Sequence, residues 1–303
     1  MSLTDSLVAF DRMTEEVKAD IDLLPGGNYP YDVTIRPDGS EVWIVGAVGD
    51  SALIIDTATH SLMQSIDLGG IGDYPVDVLF SSDGSLAYVA SRDSKALVII
   101  DADTYTIQGT IDLPEGVQGG KMTLDPCSDL IYMVNWYGKE VLRIDVETEN
   151  IEIAELGKAL WDLRISADGK TLYVSDRGMN QIKIIDAATL SESAAVDVGD
   201  DPWGLELAEN DSLLVVACED DSSLYIIDTG DLSSVEKPLP MGARPRDVDV
   251  VGNVAYVPSG DVLGNDGVYR LVLDADEPTF IDLGGNYDSN ALAIRPQPVT
   301  CKP

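Results

Sequence analysis

The feature that most constrains this chain is an internal repeat with a period of about 43 residues. Its clearest copies begin with Pro, carry Asp two residues later and continue as an apolar-x-apolar triplet, as in Pro30–Ile35 and Pro75–Phe80. Aligned on the first apolar residue of the triplet, successive copies lie 41 to 45 residues apart. The aligned residues are Val33, Val78, Met122, Leu163, Leu205, Val248 and Leu292. A period of 40–45 residues is typical of a four-stranded propeller blade.

Each period shows the same internal order of short apolar segments. After the first segment comes a turn such as Asp38-Gly39, and Asp-Gly supplies the positive φ values that tight hairpins need. The second segment resembles Ala87–Ala90, and the third ends in apolar-apolar-Asp, as in Ile54–Asp56. A Thr-containing turn then leads to an outer segment such as Ile66–Gly69. We therefore predict four antiparallel strands in each period.

The two ends of the chain complete one another. Residues 7–11 match the third strand of the repeat and residues 19–23 match the fourth, whereas residues 287–296 match the beginning of a blade. We predict a single all-β domain over residues 1–303, a seven-bladed β-propeller whose last blade is closed by strands from both chain ends. Blade repeats start near residues 29, 74, 118, 160, 202 and 244, and the composite blade combines residues 287–296 with 7–23. A β-sandwich would not carry this period through the chain, and a β-helix would use shorter rungs.

The charge balance excludes several classes of partner. The chain has 54 acidic and 19 basic residues, a formal net charge of −35. Such a field repels nucleic acids and anionic lipid surfaces, so neither is expected as a partner. No apolar run reaches the 18 residues that a transmembrane helix needs, so membrane insertion is not expected. The three cysteines lack metal-ligand spacing, so we expect no disulfide framework and the redox compartment stays open.

The second and third strands carry a family resemblance. Ala87–Ser91 and Leu172–Ser175, with the Asp-Gly turn before them and the Ile-Ile-Asp strand after them, resemble the Tyr-Val-Thr-Asn (YVTN) repeat of surface-layer-like β-propellers. The resemblance runs from Leu7 to Pro296 but lacks the Tyr in Val42–Val45 and Val215–Cys218. It implies a seven-bladed propeller, commonly exported to the periplasm, the medium or the cell surface, with binding or surface roles. Looser relatives include redox, lactone-acting and lyase-type enzymes. We expect an extracytoplasmic protein whose leader has been removed, while a cytoplasmic location stays open.

The residues just before each apolar triplet should form a ring around the mouth of the central channel. They are Asp32, Asp77, Lys121, Asp162, Gly204, Asp247 and Ala291. Four carboxylates around one opening would attract a cation or a cationic ligand. In the alternative interpretation, each Asp only accepts hydrogen bonds from nearby backbone amides.

Aromatic and arginine side chains are expected beside this ring. The aromatic candidates are Tyr29, Tyr74, Trp136, Tyr137, Trp161, Trp203 and Tyr287, and the arginines are Arg92, Arg177, Arg244 and Arg246. Trp and Tyr combine apolar area with one polar group, which suits an amphipathic pocket. The alternatives are packing between blades for the aromatic rings and ordinary surface ion pairs for the arginines.

Few other residues point to chemistry. The loop at residues 259–267 carries Asp261, Asn265 and Asp266, but their spacing is not that of an EF-hand, so calcium or magnesium is only a weak expectation and no other cofactor is expected. The single histidine, His60, falls in a peripheral turn, which removes histidine-based metal sites and Ser-His-Asp catalysis.

Three functional hypotheses remain. The first is a non-catalytic propeller that binds a protein, a glycan or a small molecule at the channel mouth. The second is a metal-dependent hydrolase or lyase that uses the acidic ring. The third is a structural surface-layer role, which ordered self-assembly of the purified protein would reveal. The sequence leaves the oligomeric state open.

Overall fold

The computed structural model describes residues 6–23, 29–46, 49–208, 211–240, 243–260, 266–275, 277–282 and 293. Within these ranges every regular element is a β-strand. No helix in the described part of the chain is long and apolar enough to cross a membrane.

In the described part of the chain, twenty-six strands form six four-stranded antiparallel sheets and one two-stranded sheet. The two-stranded closing sheet consists of β1 (Ser6–Asp11) and β2 (Glu16–Asp22). Blade 1 consists of β3 (Pro30–Ile35), β4 (Glu41–Gly46), β5 (Ser51–Asp56) and β6 (Ser61–Asp67). Blade 2 consists of β7 (Pro75–Phe80), β8 (Leu86–Ser91), β9 (Ala96–Asp101) and β10 (Thr106–Asp112). Blade 3 consists of β11 (Met122–Leu124), β12 (Leu130–Val134), β13 (Glu140–Asp145) and β14 (Asn150–Glu155).

The remaining three blades repeat this order. Blade 4 consists of β15 (Leu160–Ile165), β16 (Thr171–Asp176), β17 (Gln181–Asp186) and β18 (Ser191–Asp197). Blade 5 consists of β19 (Pro202–Ala208), β20 (Leu213–Cys218), β21 (Ser223–Asp228) and β22 (Ser234–Pro238). Blade 6 consists of β23 (Asp249–Val251), β24 (Val254–Gly260), β25 (Asp266–Val272) and β26 (Thr279–Asp282). In every blade the sequence order of the strands is also their order across the sheet.

Packing between blades explains why the middle strands are almost entirely apolar. Strands such as β5 and β8 are buried along nearly their whole length, because a neighbouring blade covers each of their faces. The outer strand β6 is exposed at every residue except Ile66. The core is therefore a series of layers between blades rather than one central cluster.

The described residues form seven hydrophobic clusters, one at each junction between neighbouring sheets of the ring. The closing sheet takes part in two of them. Leu7 and Ile21 pack in the cluster that contains Leu53 of blade 1, whereas Phe10 packs in the cluster of blade 6, with its ring 6.3 Å from that of Tyr256. The N-terminal strands thus lie between the first and last four-stranded sheets, as the sequence predicts. The C-terminal contribution, residues 287–296, lies outside the described residues apart from position 293.

In blades 1 to 5 the turn after the third strand is held by the Asp that ends that strand. In blade 1, Asp56 Oδ1 accepts hydrogen bonds from the backbone N–H groups of Ala58 and Thr59, at 3.0 and 2.6 Å. Hydrogen bonds from Thr59 lower the pKa of Asp56. His60 follows with φ 53°, in the left-handed region. The same position holds Tyr105, Glu149 and Leu190 in other blades, also with positive φ. The Asp residues that end the third strands therefore account for part of the acidic composition, and they stabilise turns of the fold.

One expectation about the cysteines is corrected. Cys127 takes part in a disulfide bond, so at least one cross-link exists where none was expected. Cys218 is free and buried in the cluster between blades 4 and 5, where burial raises the pKa of its thiol.

Candidate functional site at the channel mouth

A register shift at the start of the innermost strand presents the ring residues at the mouth. In blade 1, Pro30 pairs with Gly46 but Asp32 pairs with Val45, which leaves Tyr31 as an extra residue. Comparable shifts occur in blades 2, 4 and 5. A bulge of this kind bends the strand and re-aims side chains. As a result, blades 1 and 4 place an aromatic side chain, Tyr31 or Trp161, directly before a channel-facing carboxylate.

The carboxylates of the ring connect neighbouring blades. Asp32 Oδ2 accepts a hydrogen bond from the backbone N–H of Val78, at 3.2 Å, in the next blade. Asp77 Oδ2 accepts from Met122 N–H at 2.8 Å, and Asp162 Oδ2 accepts from Leu205 N–H at 3.2 Å. All three carboxylates belong to buried residues, so these bonds satisfy groups that water does not reach. The local hydrogen-bonding role considered from the sequence is present at all three positions.

Lys121 occupies the place that a bound cation would take between two ring carboxylates. Its Nζ lies 3.0 Å from Asp77 Oδ1 and also forms a short ion pair with Asp32. Burial raises the pKa of Asp77 to about 8. Burial opposes the charge of Lys121, but the attraction of Asp32 and Asp77 outweighs it and raises the pKa of the ammonium. The chain thus supplies its own counter-ion at this point of the channel.

A second internal cation neutralises the other side of the channel. Arg164 Nη1 donates to Asp162 Oδ1 at 2.8 Å, and its Nε donates to Glu206 Oε2 at 2.8 Å. Asp247, the fourth ring carboxylate, accepts a hydrogen bond from Val248 N–H at 2.9 Å and interacts electrostatically with Lys121 and Arg164. Among the described residues, no group of three His, Cys, Asp or Glu side chains has an arrangement suited to a metal ion.

An arc of aromatic rings lies along one side of the mouth. We call the following set the aromatic arc: Tyr31, Tyr74, Trp136, Tyr137, Trp161 and Trp203. The centroid of Trp161 lies 4.2 Å from that of Trp203 and 4.8 Å from that of Trp136. Tyr31 continues the arc from Trp136 at 5.3 Å. Burial raises the pKa of Tyr31, so its hydroxyl is protonated at neutral pH.

The arc is partly open to solvent. Trp161 is buried and Trp136 and Trp203 are half-buried, but Tyr137 is 57% exposed. Tyr29, 37% exposed, lies 6.3 Å from Tyr31 and extends the arc at its other end. Inter-blade packing therefore accounts for Trp161 but leaves other aromatic surface facing the mouth.

Three arginines stack on the arc. Arg92 lies 3.4 Å from the ring centroid of Tyr74, and Arg177 lies 3.9 Å from that of Trp203. Arg246 approaches Trp203 at 5.1 Å. A guanidinium within about 6 Å of an aromatic centroid is attracted by the negative face of the ring. One face of Tyr74 and one face of Trp203 are thus occupied by cations from the chain.

Carboxylates fix two of these arginines. Asp201 accepts from Arg177 Nε at 2.6 Å and Nη2 at 2.7 Å, and from Trp203 Nε1 at 2.8 Å. Burial opposes ionisation of Asp201, but hydrogen bonds from Arg177 and Trp203 outweigh it and lower its pKa. Glu219, buried at 3% exposure of its side chain, pairs with Arg246 at 2.9 Å and also with Arg244. Arg92 pairs with the exposed Asp93 at 2.7 Å.

The structure brings together most of the candidate residues, and several of the others lie outside the described residues. Arg92, Trp136, Tyr137, Trp161, Arg177, Trp203 and Arg246 share the mouth, and the four ring carboxylates converge in the channel below. Gly204 lies in the ring position of blade 5, where an added Cβ would meet the backbone of Asp247 at 2.8 Å. Tyr287, Ala291 and the loop residues Asp261 and Asn265 lie outside the described residues.

Sequence reasoning missed three residues of the site. Tyr31 occupies the repeat position of Trp161 and Trp203, one residue before the ring, so alignment of the repeats would have identified it. Arg164 lies two residues after a ring carboxylate, at the middle position of the apolar-x-apolar triplet, where the repeat does not specify the residue. Asp201, which orients Arg177, follows no motif that distinguishes it from the neighbouring acidic residues.

Comparison with known proteins supports the propeller fold, and it supports the fold more strongly than any particular enzymatic activity. The family model described as "Lactonase, 7-bladed beta-propeller" matches residues 130–248, less than half of the chain. The comparison with curated proteins finds no match.

Similar solved structures include a streptogramin B lyase, 15% identical with a TM-score of 0.77, where the alignment covers 89% of each chain. Virginiamycin B lyase from Staphylococcus aureus is 16% identical with a TM-score of 0.76, over 88% of this chain and 89% of the lyase. Hydrazine synthase of Kuenenia stuttgartiensis is 18% identical with a TM-score of 0.70, over 84% of this chain and 78% of that chain. At these identities the likeness concerns the fold. With six four-stranded blades, a closing sheet and these relatives, the chain is a seven-bladed β-propeller.

Proposed function

We propose that this propeller is a non-catalytic binding protein that holds a ligand with a flat apolar ring against the aromatic arc. The observation that carries this proposal is the contact of Trp136, Trp161 and Trp203 in one partly exposed array. Rigid aromatic side chains give large contact area at a low entropic cost. Asp201 fixes Trp203 and Arg177 before any ligand arrives, which also reduces the cost of binding.

Calorimetry with 2-naphthalenemethanol, a neutral flat probe, tests this proposal. We expect the probe to bind the full chain, and Trp203→Ala and Tyr137→Ala each to weaken binding by about 1 kcal/mol, roughly fivefold. Phe280→Ala is the matched control, because Phe280 is 38% exposed on an outer strand of blade 6. No binding by the wild-type chain, or equal losses in all three variants, would overturn the proposal.

An enzymatic role is the second candidate. The lactonase family model and the two lyases among the similar structures favour it. A metal-dependent hydrolase or lyase built on the acidic ring fits less well, since Lys121 and Arg164 already pair with its carboxylates. Calorimetric titration with calcium or magnesium, together with a thermal-shift measurement, separates the two candidates. Heat and a raised melting temperature would favour the metal-dependent enzyme, whereas neither is expected for the binding protein.

We further propose that the protein acts outside the cytoplasm, as the YVTN-type surface-layer-like repeat suggests. The disulfide at Cys127 supports this location, because disulfides persist in oxidising compartments. Peptide mapping of the protein from its native source, with and without reduction, checks it. Cys127 recovered as a free thiol from freshly alkylated cells would argue for the cytoplasm.

A further inference from the structure

The four tryptophans of the chain differ in what their indole N–H groups contact. Trp43 Nε1 and Trp203 Nε1 each donate to a carboxylate at 2.8 Å. By contrast, the indole nitrogens of Trp136 and Trp161 have no hydrogen-bond acceptor among the described residues. A buried tryptophan usually has an acceptor for its N–H group. Two donors of the aromatic arc are therefore left for a molecule from outside the chain.

Trp161 is the more unusual of the two. Only 6% of its surface is exposed, whereas Trp136 is half-buried, and water can hydrate the N–H group of a half-buried indole. Within the described part of the chain, the sealed polar atoms that lack a partner do not include Trp161 Nε1, so this nitrogen is accessible from solvent. A largely buried donor without an acceptor is costly, and an acceptor that a ligand brings would remove the cost.

An aromatic ligand has a place to stack next to this donor. The rings of Trp136 and Tyr137 lie 4.8 and 5.2 Å from that of Trp161, and Tyr137 is 57% exposed. Trp203 is a poorer stacking surface, because Arg177 occupies one of its faces and Trp161 packs against it. A flat ring on the exposed part of Tyr137 therefore lies next to the indole of Trp161.

The charges around the arc favour an uncharged ligand. Arg92 and Arg177, which stack on rings of the arc, each pair with a carboxylate. An anionic group would meet the repulsive field of a chain with net charge −35. An ammonium group has no lone pair, so it cannot accept a hydrogen bond from an indole N–H. The acceptor that fits is an uncharged carbonyl oxygen, which has two lone pairs.

We infer that the ligand is an uncharged aromatic ketone or amide, whose ring lies on Tyr137 and Trp136 and whose carbonyl oxygen accepts a hydrogen bond from Trp161 Nε1. This inference rests on the proposed function, because it specifies the ligand of the same aromatic arc. Trp161 supplies the donor, and Trp136 supplies ring area. The N–H group of Trp203 already donates to Asp201 and takes no part in recognition of the carbonyl group.

Two probes of the same shape test the inference. They are 2-acetylnaphthalene and 2-isopropenylnaphthalene, in which a CH₂ group replaces the carbonyl oxygen. Competition with 2-naphthalenemethanol in calorimetry gives both affinities, and the quantity compared is the ratio of the ketone affinity to the alkene affinity. Trp161→Phe removes the donor and keeps an aromatic ring. We expect it to reduce this ratio about fivefold, the effect of one neutral hydrogen bond.

Trp136→Phe and Trp203→Phe are the matched controls, since each makes the same substitution elsewhere in the arc. Each should change both affinities by the same factor and leave their ratio as in the wild type. A measurement on the wild-type chain covers the case in which Trp161→Phe does not fold. In a ¹⁵N–¹H spectrum, the ketone should move the Trp161 indole proton further downfield than the alkene does, because a hydrogen bond deshields the proton. The other three Trp→Phe variants then assign that resonance by elimination.

The possible failures are distinguishable. If 2-naphthalenemethanol binds but neither probe displaces it, or if Trp161→Phe keeps the wild-type ratio, the inference is overturned and the aromatic binding site stands. A ratio that falls only in Trp136→Phe or Trp203→Phe, or equal proton shifts with ketone and alkene, would also overturn the assignment to Trp161. If 2-naphthalenemethanol itself does not bind, the proposed function fails and the inference fails with it.

Discussion

Arg177 stacks on Trp203 at 3.9 Å because one carboxylate, that of Asp201, accepts hydrogen bonds from both side chains. Asp201 itself has φ 59°, a left-handed conformation that a non-glycine residue adopts at some cost. The three residues come from two blades, so the unit forms only when blades 4 and 5 are correctly packed. The mouth of the channel is therefore shaped by the fold before ligand binds.

Asp201→Asn should release Arg177 from this unit. We expect naphthalenemethanol binding to weaken severalfold, and the free energy of unfolding to fall by about 1–3 kcal/mol, because hydrogen bonds to charged groups are lost. Calorimetry and urea denaturation measure the two effects. Asp220→Asn makes the same charge change at an exposed neighbouring position and should alter neither quantity.

The carboxylate contacts between blades should matter for stability. Asp162→Ala leaves Leu205 N–H without its side-chain acceptor and removes one partner of Arg164. Breaking a buried ion pair in this way typically costs about 3–5 kcal/mol. Asp162→Asn keeps an oxygen acceptor and should cost less. Equal, small losses in urea denaturation for both variants would show that the contact contributes little.

Asp77 should make stability depend on pH. Its pKa is raised by burial to about 8 from an ordinary value of 3.8, so the folded protein keeps a proton that the unfolded chain releases. This contribution is complete below about pH 4 and is lost as the pH rises towards 8, at a slope of at most ~1.4 kcal/mol per pH unit. Asp77→Asn cannot release the proton, so its stability should fall less between pH 5 and 8 than that of the wild type. Parallel urea-denaturation profiles for the two proteins would contradict this assignment.

The turn after the third strand offers a paired test of backbone strain. His60 and Leu190 occupy the same repeat position with φ 53° and 51°. His60 is exposed, so His60→Gly should stabilise the protein by up to ~1 kcal/mol by relieving the left-handed conformation. Leu190 is buried in the cluster between blades 3 and 4, so Leu190→Gly should destabilise it by about 2–5 kcal/mol. The same sign of change at both positions in thermal or urea denaturation would refute the explanation.

The repeat made the fold predictable because the two faces of each blade are apolar and must pack against neighbouring blades of the same kind. Period, turn residues and the matching chain ends together imply a closed ring, and the positions of Leu7 and Phe10 on opposite faces of the closing sheet agree with it. The candidate site was predictable only as a location. A ring position implies that Lys121 faces the channel, but not that its long side chain reaches Asp32, 89 residues earlier. Such contacts depend on side-chain length across the channel, which the repeat pattern does not encode.

The indole N–H resonances test the central claim most directly, because the chain contains only four tryptophans. Trp136, Trp161 and Trp203 belong to the aromatic arc, whereas Trp43 is fully buried between blades 1 and 2 and donates to Glu41 at 2.8 Å. In a two-dimensional ¹⁵N–¹H spectrum, addition of 2-naphthalenemethanol should shift the three arc resonances and leave that of Trp43 in place, with assignments made from single Trp→Phe variants. Unchanged arc resonances at saturating 2-naphthalenemethanol, or a shift confined to Trp43, would contradict a ligand site at the channel mouth.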